Sequence, residues 1–410
     1  MKTRSAIRIL ILFSALFIIG CKQENCTPSK TIKVGVLLGF TGTGSQNAIE
    51  TKAALDIGLQ DAKDYILRNG IDAKVELYFE DTKSDTTEAK VKAQSLIDKG
   101  VSLIIGPYTS AEARAVKAIA DAKNILLVTH SAVSVSLAIA GDNLLRFAPS
   151  DTYQAEALNA MLTADTIKAI IPVVRNDLWS NSLIAATTGG YESNGGTVIS
   201  KQTFEPGTVD FSSIIAAVKI GLDQGERRYG AGRTAIYLIS YGDGTGFLEA
   251  LSQAGLTQAV RIYGASAFAQ STTLTANAAA AGFAQRCRLQ CPVFGFDEAA
   301  SNIYEPLQAR ITGAIGYNAS IYALAAYDIL HTAVMARLTQ ESVPAFEAFK
   351  AHFIETAASY YGATGRTELN EYGDRKHVTY DFWTVKNMNS KYLWQLSAKY
   401  NTTDKSLRRI

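Results

Sequence analysis

The strongest constraint on this chain is the alternation of short apolar runs with amphipathic helical segments, which continues through most of its length. Residues 32–38, 74–80 and 101–105 have the composition of strands, and residues 47–67 and 87–99 repeat apolar side chains at helical spacing. A strand, a crossover helix and a second strand normally place the two strands parallel. The alternation therefore predicts an α/β protein with a parallel, doubly wound sheet.

The same alternation starts again after residues 144–151, which have the pattern of a strand leaving the first series. A chain of 410 residues exceeds the usual size of one compact domain, so two lobes are expected. In the second series the predicted strands are 168–174, 197–203, 235–239 and 261–263, and the predicted helices are 152–162, 183–193, 214–222 and 247–254. The closing segment has predicted helices 319–338 and 343–358 and predicted strands 378–385 and 392–396.

The N-terminus has the pattern of a secretory signal peptide. A basic start precedes the apolar run 9–19, which is too short for an ordinary transmembrane helix. Gly20 followed by Cys21 resembles a bacterial lipobox, in which the cysteine carries the lipid. We expect a signal peptide over residues 1–20 and a tether over residues 21–30 that anchors the protein without spanning the membrane. The alternative is an ordinary cleaved signal with a chance cysteine.

Charge and cysteine usage narrow the classes of partner. The formal net charge is +2, from 40 basic and 38 acidic residues, which gives no reason to expect nucleic-acid binding. Besides Cys21 the chain has Cys26, Cys287 and Cys291. The last two can form a disulfide if the segment between them is a loop, and not if it is an extended strand. No second cysteine pair and no nearby histidine accompanies them, so no metal site is predicted.

Catalytic signatures are absent from the sequence, which contains no HExxH, GxSxG, Walker or strand–GxGxxG–helix motif. His130 lies in a turn that is a candidate for the cleft. Such a residue is more often a hydrogen-bonded turn histidine than a catalytic base. We therefore expect a protein that is not an enzyme and that uses no cofactor.

A strand-to-helix turn follows the apolar run 101–105. Gly106 and Pro107 end the run, and Thr109 or Ser110 stands where a helix N-cap is expected. Such a turn presents backbone N–H groups and a hydroxyl beyond the end of the strand, which suits a small anion such as a carboxylate. The alternative is that the hydroxyl only caps its own helix.

Three further turns, at residues 39–46, 129–134 and 175–182, also follow predicted strands. Ligands of open α/β sheets bind beyond the carboxyl ends of the strands, and two facing lobes enclose a cleft there. Trp179 and Tyr241 from the second series would supply apolar walls or an aromatic face for a cation. The sequence therefore predicts a small-molecule cleft between the lobes.

The segments that contain these turns carry a family resemblance through their order and spacing. They are IKVGVLLGFTGTGSQ, AQSLIDKGVSLIIGPYTSA, LLRFAPSDTYQAEAL, NDLWSNSL, FEPGTVDFSSII, LISYGDGTGF, ALAAYDIL and GATGRTELNEYGDRKHVTYDFWTV. The chain resembles the type I periplasmic substrate-binding proteins of the leucine/isoleucine/valine-binding family, which deliver ligands to ABC transporters.

The resemblance implies two Rossmann-like lobes that are joined by a three-segment hinge and close on a ligand. The crossings would lie near Phe147, Cys291 and His377. The implied lobes are residues 31–147 plus 293–377 for the N-terminal lobe, and 148–292 plus 378–410 for the C-terminal lobe.

The resemblance also implies a set of ligand contacts. The carboxylate would bind in the GPYTS turn, at Ser110 beside Thr109, and the following turn would add a backbone carbonyl and a hydroxyl. Tyr327 would lie near the cleft or, as an alternative, in a helix core. The implied contacts are Ser110, Thr109, Ala132, Ser134, Gln46 or Asn47, Trp179, Tyr241, Ser266 and Tyr327.

One departure from the family pattern concerns the ligand's ammonium group. Relatives that bind α-amino acids often have an acid where this chain has Ser266. An ammonium that is buried without a counter-charge is costly. Asp177 or Asp243 would replace the acid, or the aromatic walls would suffice, or the ligand is not an α-amino acid.

The resemblance implies a substrate-binding lipoprotein of an ABC importer, held at the cell envelope and facing the periplasm or the exterior. Its ligand would be a small carboxylate-bearing solute, most simply a branched-chain or other aliphatic amino acid, and its partner an ABC permease. The alternatives are a receptor that signals to a membrane partner and a hydrolase acting in the cleft.

Overall fold

The computed structural model describes residues 30–42, 44–256, 260–340 and 344–410. The predicted signal peptide, the tether up to residue 29, Cys21, Cys26 and Val343 lie outside the described residues. Within the described ranges, no helix combines the length and the apolar character needed to cross a membrane.

The first sheet has five parallel strands in the order β2-β1-β3-β4-β5. The central strand β3 consists of three buried apolar residues, as expected for a parallel sheet covered on both faces. The strands are β1 (Lys30–Leu38), β2 (Ala73–Asp81), β3 (Leu103–Ile105), β4 (Leu126–Thr129) and β5 (Leu144–Arg146), and the helices between them are α1 (Ser45–Arg68), α2 (Thr86–Asp98) and α3 (Ser110–Lys123).

The second sheet is also parallel, with the order β10-β9-β6-β7, and β8 also pairs with β6. The strands are β6 (Ala169–Arg175), β7 (Thr197–Val198), β8 (Gln202–Phe204), β9 (Thr234–Ile239) and β10 (Arg261–Gly264). The helices are α4 (Asp151–Ala164), α5 (Leu178–Ser193), α6 (Ser212–Tyr229), α7 (Gly244–Gln253), α8 (Thr272–Ala276) and α9 (Ala278–Arg286).

A third, antiparallel sheet has the order β11-β14-β15-β16, and a two-stranded hairpin pairs β12 with β13. The strands are β11 (Cys291–Phe294), β12 (Tyr361–Gly362), β13 (Gly365–Arg366), β14 (Thr379–Met388), β15 (Lys391–Asn401) and β16 (Ser406–Arg409). The helices are α10 (Ser301–Ile315), α11 (Ile321–Leu338) and α12 (Phe346–Ser359).

Two separate cores show how the late part of the chain is divided. Leu330 of α11 and Phe353 of α12 pack with Val36 and other residues of the first sheet. Phe382 and Tyr400 of the antiparallel sheet pack instead with residues of the second parallel sheet. We call the first sheet with α1–α3 and α10–α12 the first lobe, and the other two sheets with α4–α9 the second lobe.

Helix α5 begins earlier than the predicted residue 183. The Asp177 carboxylate accepts a hydrogen bond from the N–H of Ser180 at 2.8 Å and so caps the helix before Leu178. The prediction missed this N-cap, which is visible in the sequence. Trp179 consequently stands on the first turn of a helix instead of in a loop, which gives it a fixed direction.

Other differences also have local causes. The predicted strand 197–203 is two strands, and Ser200 between them has φ +43°, which is outside the strand region. Helix α10 was not predicted, because Pro306 in its interior indicates a break and no side chain caps its N-terminus. Cys287 and Cys291 are buried free thiols, so no bond joins them.

Candidate ligand-binding site

A groove of about 890 Å³ opens at the carboxyl ends of the strands of both lobes. The first lobe lines it with residues that follow β1, β3 and β4, and the second lobe with residues that follow β6, β9 and β10. Its volume is in the range of small-molecule sites. Of the predicted contacts, the groove is lined by Gln46, Asn47, Thr109, Ser110, Trp179, Tyr241 and Ser266.

The turn before α3 contains the predicted carboxylate site. Thr109 and Glu112 form a capping box, in which Thr109 Oγ1 accepts the Glu112 N–H at 3.2 Å and the Glu112 carboxylate accepts the Thr109 N–H at 3.2 Å. No described residue accepts a hydrogen bond from the N–H of Ser110 or Ala111. Thr109 is therefore the cap, and Ser110 remains available for a ligand.

The Ser110 hydroxyl has one of its roles already filled. Its Oγ accepts a hydrogen bond from the Ser134 N–H at 3.2 Å. A serine hydroxyl has one hydrogen to donate, and no described residue accepts it. Ser110 is buried but lines the groove, so this hydrogen is available to an acceptor on a bound molecule.

Ala132 and Ser134 were predicted as direct contacts, but they do not line the groove; their neighbours Ser131 and Val133 do. The carbonyls of Ala132 and Ser134 instead accept hydrogen bonds from Arg146, at 3.3 Å and 2.8 Å. The backbone carbonyl predicted to contact the ligand at Ala132 is therefore already bonded within the protein.

Arg146 supports this turn from behind the groove. Its side chain is fully buried, and its guanidinium forms two hydrogen bonds with the Asp374 carboxylate, the Nη2–Oδ2 bond being 2.6 Å long. Bidentate pairing of this kind fixes the orientation of both groups. The turn after β4 is therefore held by a residue that is distant in sequence.

Tyr327 does not line the groove, so the structure supports the helix-core alternative for it. Its hydroxyl donates a hydrogen bond to Asp61 of α1 at 2.9 Å, and its ring packs on His331 with the centroids 4.2 Å apart. Burial raises the pKa of Tyr327, with the Asp61 hydrogen bond adding to the effect.

The second-lobe wall is aromatic. The rings of Trp179 and Tyr241 have centroids 5.1 Å apart, and the Arg175 guanidinium lies 4.9 Å from the Tyr241 centroid. Arg175 also pairs with Asp177 at 2.5 Å and with Asp243 at 2.8 Å. Neither acid lines the groove, and both are paired with Arg175, so the structure gives no support to the alternative that Asp177 or Asp243 binds an ammonium group.

Ser266 is fixed through its backbone. Its N–H donates to Gln154 Oε1 at 2.7 Å, and the Gln154 amide donates to Asp151. Burial raises the pKa of Asp151 to about 8, although the hydrogen bond from Gln154 and the charge of Arg146 act in the opposite direction. Asp151 does not line the groove.

The catalytic alternative has no supporting geometry. His130 Nε2 lies 3.4 Å from Thr51 Oγ1, and no described residue is a hydrogen-bond partner of its Nδ1. Burial lowers the pKa of His130 to about 3. Neither Thr109 nor Ser110 is hydrogen-bonded to His130 in the described part of the chain, so neither candidate nucleophile is paired with this base.

Comparison with known proteins agrees with this architecture. The family model described as "Periplasmic binding protein" matches residues 31–389. The chain belongs to the periplasmic binding protein family. The predicted α/β fold with two Rossmann-like lobes is thereby confirmed, since solved structures of this type superpose on most of the chain.

Three similar proteins place this periplasmic binding protein among its relatives. Uncharacterized protein MJ1266 of Methanocaldococcus jannaschii is 24% identical over an alignment of 428 residues, which covers 96% of this chain and 97% of the relative. The leucine binding protein LivK of Thermotoga maritima has a TM-score of 0.71 at 20% identity and covers 91% and 99% of the two chains. A solute binding protein from R. palustris in complex with benzoate has a TM-score of 0.70 at 15% identity and covers 89% and 96%.

In this periplasmic binding protein, Arg375 contacts residues near the chain crossings that the sequence predicted. Its Nη1 donates to the Phe147 carbonyl at 3.3 Å and to Thr364 Oγ1 at 2.7 Å, and its guanidinium lies 5.0 Å from the centroid of Phe294. Burial lowers the pKa of Arg375 to about 10, against the charge of nearby Asp328, so it stays protonated at neutral pH. The segments near all three predicted crossings therefore meet at one cation.

The sequence prediction missed several groove residues. Glu50 lies four residues after Gln46 on α1, and this spacing puts both on one helix face, so the pattern could have indicated it. Tyr108 lies in the predicted turn itself. Tyr317 and Tyr322 reach the groove from the segment around the start of α11, which has no local signal in the sequence.

Proposed function

We propose that this chain is the substrate-binding protein of an ABC importer and captures a small carboxylate-bearing solute, most simply an aliphatic amino acid, by closure of its two lobes. Membership of the periplasmic binding protein family supports the binding role. The similar leucine binding protein supports an amino acid, and the benzoate complex shows that ligands differ among structures of this fold.

The proposal rests on the Ser110 hydroxyl, which has a hydrogen-bond donor that no described residue uses. Its acceptor role is filled by the Ser134 N–H, so it has a donor to offer to the groove. The N–H groups of Ser110 and Ala111 at the start of α3 add two donors and the positive end of the helix dipole. Free donors at the start of a helix suit a carboxylate, which only accepts hydrogen bonds.

The aromatic wall supports a ligand with an apolar part. Trp179 and Tyr241 face the groove from the second lobe, opposite the turn that contains Ser110. Closing the lobes on an aliphatic side chain would remove apolar surface from water, at about 25 cal/mol per Å². One lobe would therefore bind the polar end of the ligand and the other its apolar end.

The proposal includes delivery and location. The signal peptide over residues 1–20, lipidation at Cys21 and the tether over 21–30 would hold the protein at the outer face of a membrane, where an ABC permease would take its ligand. The lobes would be residues 31–147 plus 293–377 and 148–292 plus 378–410. The two cores described above support this division.

A thermal-shift screen of the lipid-free protein tests the proposal. The panel contains the twenty amino acids, aliphatic carboxylates and benzoate. A compound present at a hundred times its dissociation constant is expected to stabilise the fold by about 2.7 kcal/mol. A panel in which no carboxylate-bearing compound shifts the unfolding temperature would overturn the proposal.

Ser110→Ala is expected to weaken the binding of a carboxylate ligand found in this screen by about 1.5 to 2 kcal/mol, because one charge-assisted hydrogen bond is lost. Isothermal titration calorimetry measures the change in Kd. Ser193→Ala, on the exposed face of α5, is the matched control and should bind like the unaltered protein. Equal affinities of Ser110→Ala and the control would mean that Ser110 does not contact the carboxylate.

A further inference from the structure

Glu50 is a buried carboxylate in the wall of the groove. It lies on the second turn of α1, and only 4% of the residue's surface is exposed. Most buried acids in proteins are paired with a cation, because a desolvated charge is costly. The partners of Glu50 therefore need to be identified one by one.

Both groups that hydrogen-bond to Glu50 are neutral. Gln46 Nε2 lies 3.3 Å from Oε1, and the backbone N–H of Ser320 donates to Oε2 at 3.0 Å. No lysine, arginine or histidine in the described part of the chain forms an ion pair with Glu50; the buried acids Glu112 and Asp151 have no ion pair there either, but they do not line the groove. The carboxylate is thus held in position without a counter-charge.

The remainder of the groove does not supply that counter-charge. Among the described residues that line it, Glu50 is the sole charged side chain. The charges of Arg175 and Arg146 are already matched by aspartates outside the groove lining. The groove therefore carries one uncompensated negative charge before a ligand enters.

Glu50 and Ser110 are placed to act on one small molecule. The strands β1 and β3 that precede their helices are hydrogen-bonded neighbours in the first sheet. Parallel neighbouring strands end at the same edge of the sheet, so both helices begin at this edge, with α1 packed on one face of the sheet and α3 on the other. Both residues line the same groove, one with an acceptor and the other with a donor.

Two tyrosines stand beside the Glu50 carboxylate. Burial raises the pKa of Tyr108, and the negative charge of Glu50 adds to the effect. The same two causes raise the pKa of Tyr317 at the mouth of the groove. Aromatic faces next to a carboxylate favour an organic cation, because the ring quadrupole attracts positive charge.

We infer that Glu50 is the counter-charge for a cationic group of the ligand, so that the groove selects ammonium-bearing molecules over simple carboxylates. This inference rests on the proposed function and specifies its substrate class. A zwitterion places its carboxylate at Ser110 and its ammonium group at Glu50. A carboxylate without an ammonium group brings a second negative charge next to Glu50, which is unfavourable at the low effective dielectric of a closed groove.

The test compares leucine with two analogues that each lack one charged group, 4-methylpentanoate without the ammonium and 3-methylbutylamine without the carboxylate, and with benzoate. If the screen identifies another amino acid, that acid and its own amino-free analogue replace the first pair. Calorimetry at pH 7 measures the Kd of each compound. We expect the unaltered protein to bind the amino acid at least about tenfold more tightly than its amino-free analogue.

Glu50→Gln keeps the shape of the side chain and removes the charge. The Kd of the amino acid is expected to rise about ten- to a hundredfold, because the ammonium group loses its counter-charge. The Kd of the amino-free analogue should be unchanged or lower. Asp56→Asn is the matched control, because Asp56 lies on the same helix with a half-exposed side chain and pairs with Lys52 at the surface. It should keep the selectivity of the unaltered protein.

The outcomes separate the inference from the proposed function. If no carboxylate-bearing compound binds, the proposed function fails. If the unaltered protein binds benzoate or 4-methylpentanoate as tightly as any amino acid, or if Glu50→Gln keeps the affinity for the amino acid, the inference fails and the proposed function stands. The selectivity of the unaltered protein decides the inference even if Glu50→Gln does not fold.

Discussion

Asp374→Asn is expected to lower the free energy of unfolding by about 3 to 5 kcal/mol, the cost of leaving a buried charge without its partner. Arg146 is fully buried and donates two hydrogen bonds to Asp374. With asparagine in place, the guanidinium has no counter-charge and no route to water. Urea denaturation at pH 7 measures the loss.

The exposed pair Lys52–Asp56 is the control for this prediction, because its side chains are 45% and 50% exposed. Asp56→Asn should cost less than about 0.5 kcal/mol. The double variant Arg146→Met with Asp374→Asn should be more stable than Asp374→Asn alone, since the buried charge is gone. If Asp374→Asn lowers the free energy of unfolding by less than about 1 kcal/mol, the buried charge of Arg146 does not depend on Asp374 for its stabilisation.

The second large effect is a dependence of stability on pH. Burial lowers the pKa of His130 from its usual 6.5 to about 3. Between these values the unfolded chain binds a proton that the folded protein does not, so the free energy of unfolding falls as the pH falls below 6.5. From pH 7 to pH 4.5, this histidine alone is expected to cost roughly 2.5 kcal/mol.

His130→Gln isolates this contribution, because glutamine does not titrate. The difference in stability between the variant and the unaltered protein should shift by that amount between the two pH values, as measured by urea denaturation. Thr51→Val removes the neighbouring hydroxyl but keeps His130 buried, so it should retain the acid sensitivity of the unaltered protein. A His130→Gln variant that loses stability in parallel with the unaltered protein would show that His130 does not cause the effect.

Sequence patterns predicted the parts of the fold that depend on local spacing. The apolar run at β3, the glycine and proline that end it, and the threonine cap of α3 are adjacent in the chain, so they were readable together. Ser110 stands next to that threonine in the chain, so the same short segment indicated that it lines the groove. Trp179 and Tyr241 line the groove, Trp179 from the first turn of the helix that follows a buried strand and Tyr241 from the loop between a buried strand and the next helix.

The parts that the sequence did not predict depend on contacts between distant segments. The N–H that holds Glu50 belongs to Ser320, which lies 270 residues further along the chain. The positions of Ala132 and Ser134 depend on Arg146 and its distant partner. The pairing of Asp177 and Asp243 with Arg175 also became visible only when the strands were in place.

The pair of Arg146 and Asp374 has a consequence for how the polypeptide folds. The two residues are 228 positions apart, and the core of the first lobe also needs helices α11 and α12. A growing chain that has produced only the first sheet has neither the carboxylate nor the helices that cover it. Contacts of such long sequence separation slow folding, so the first lobe to be synthesised is completed only when nearly the whole chain is present.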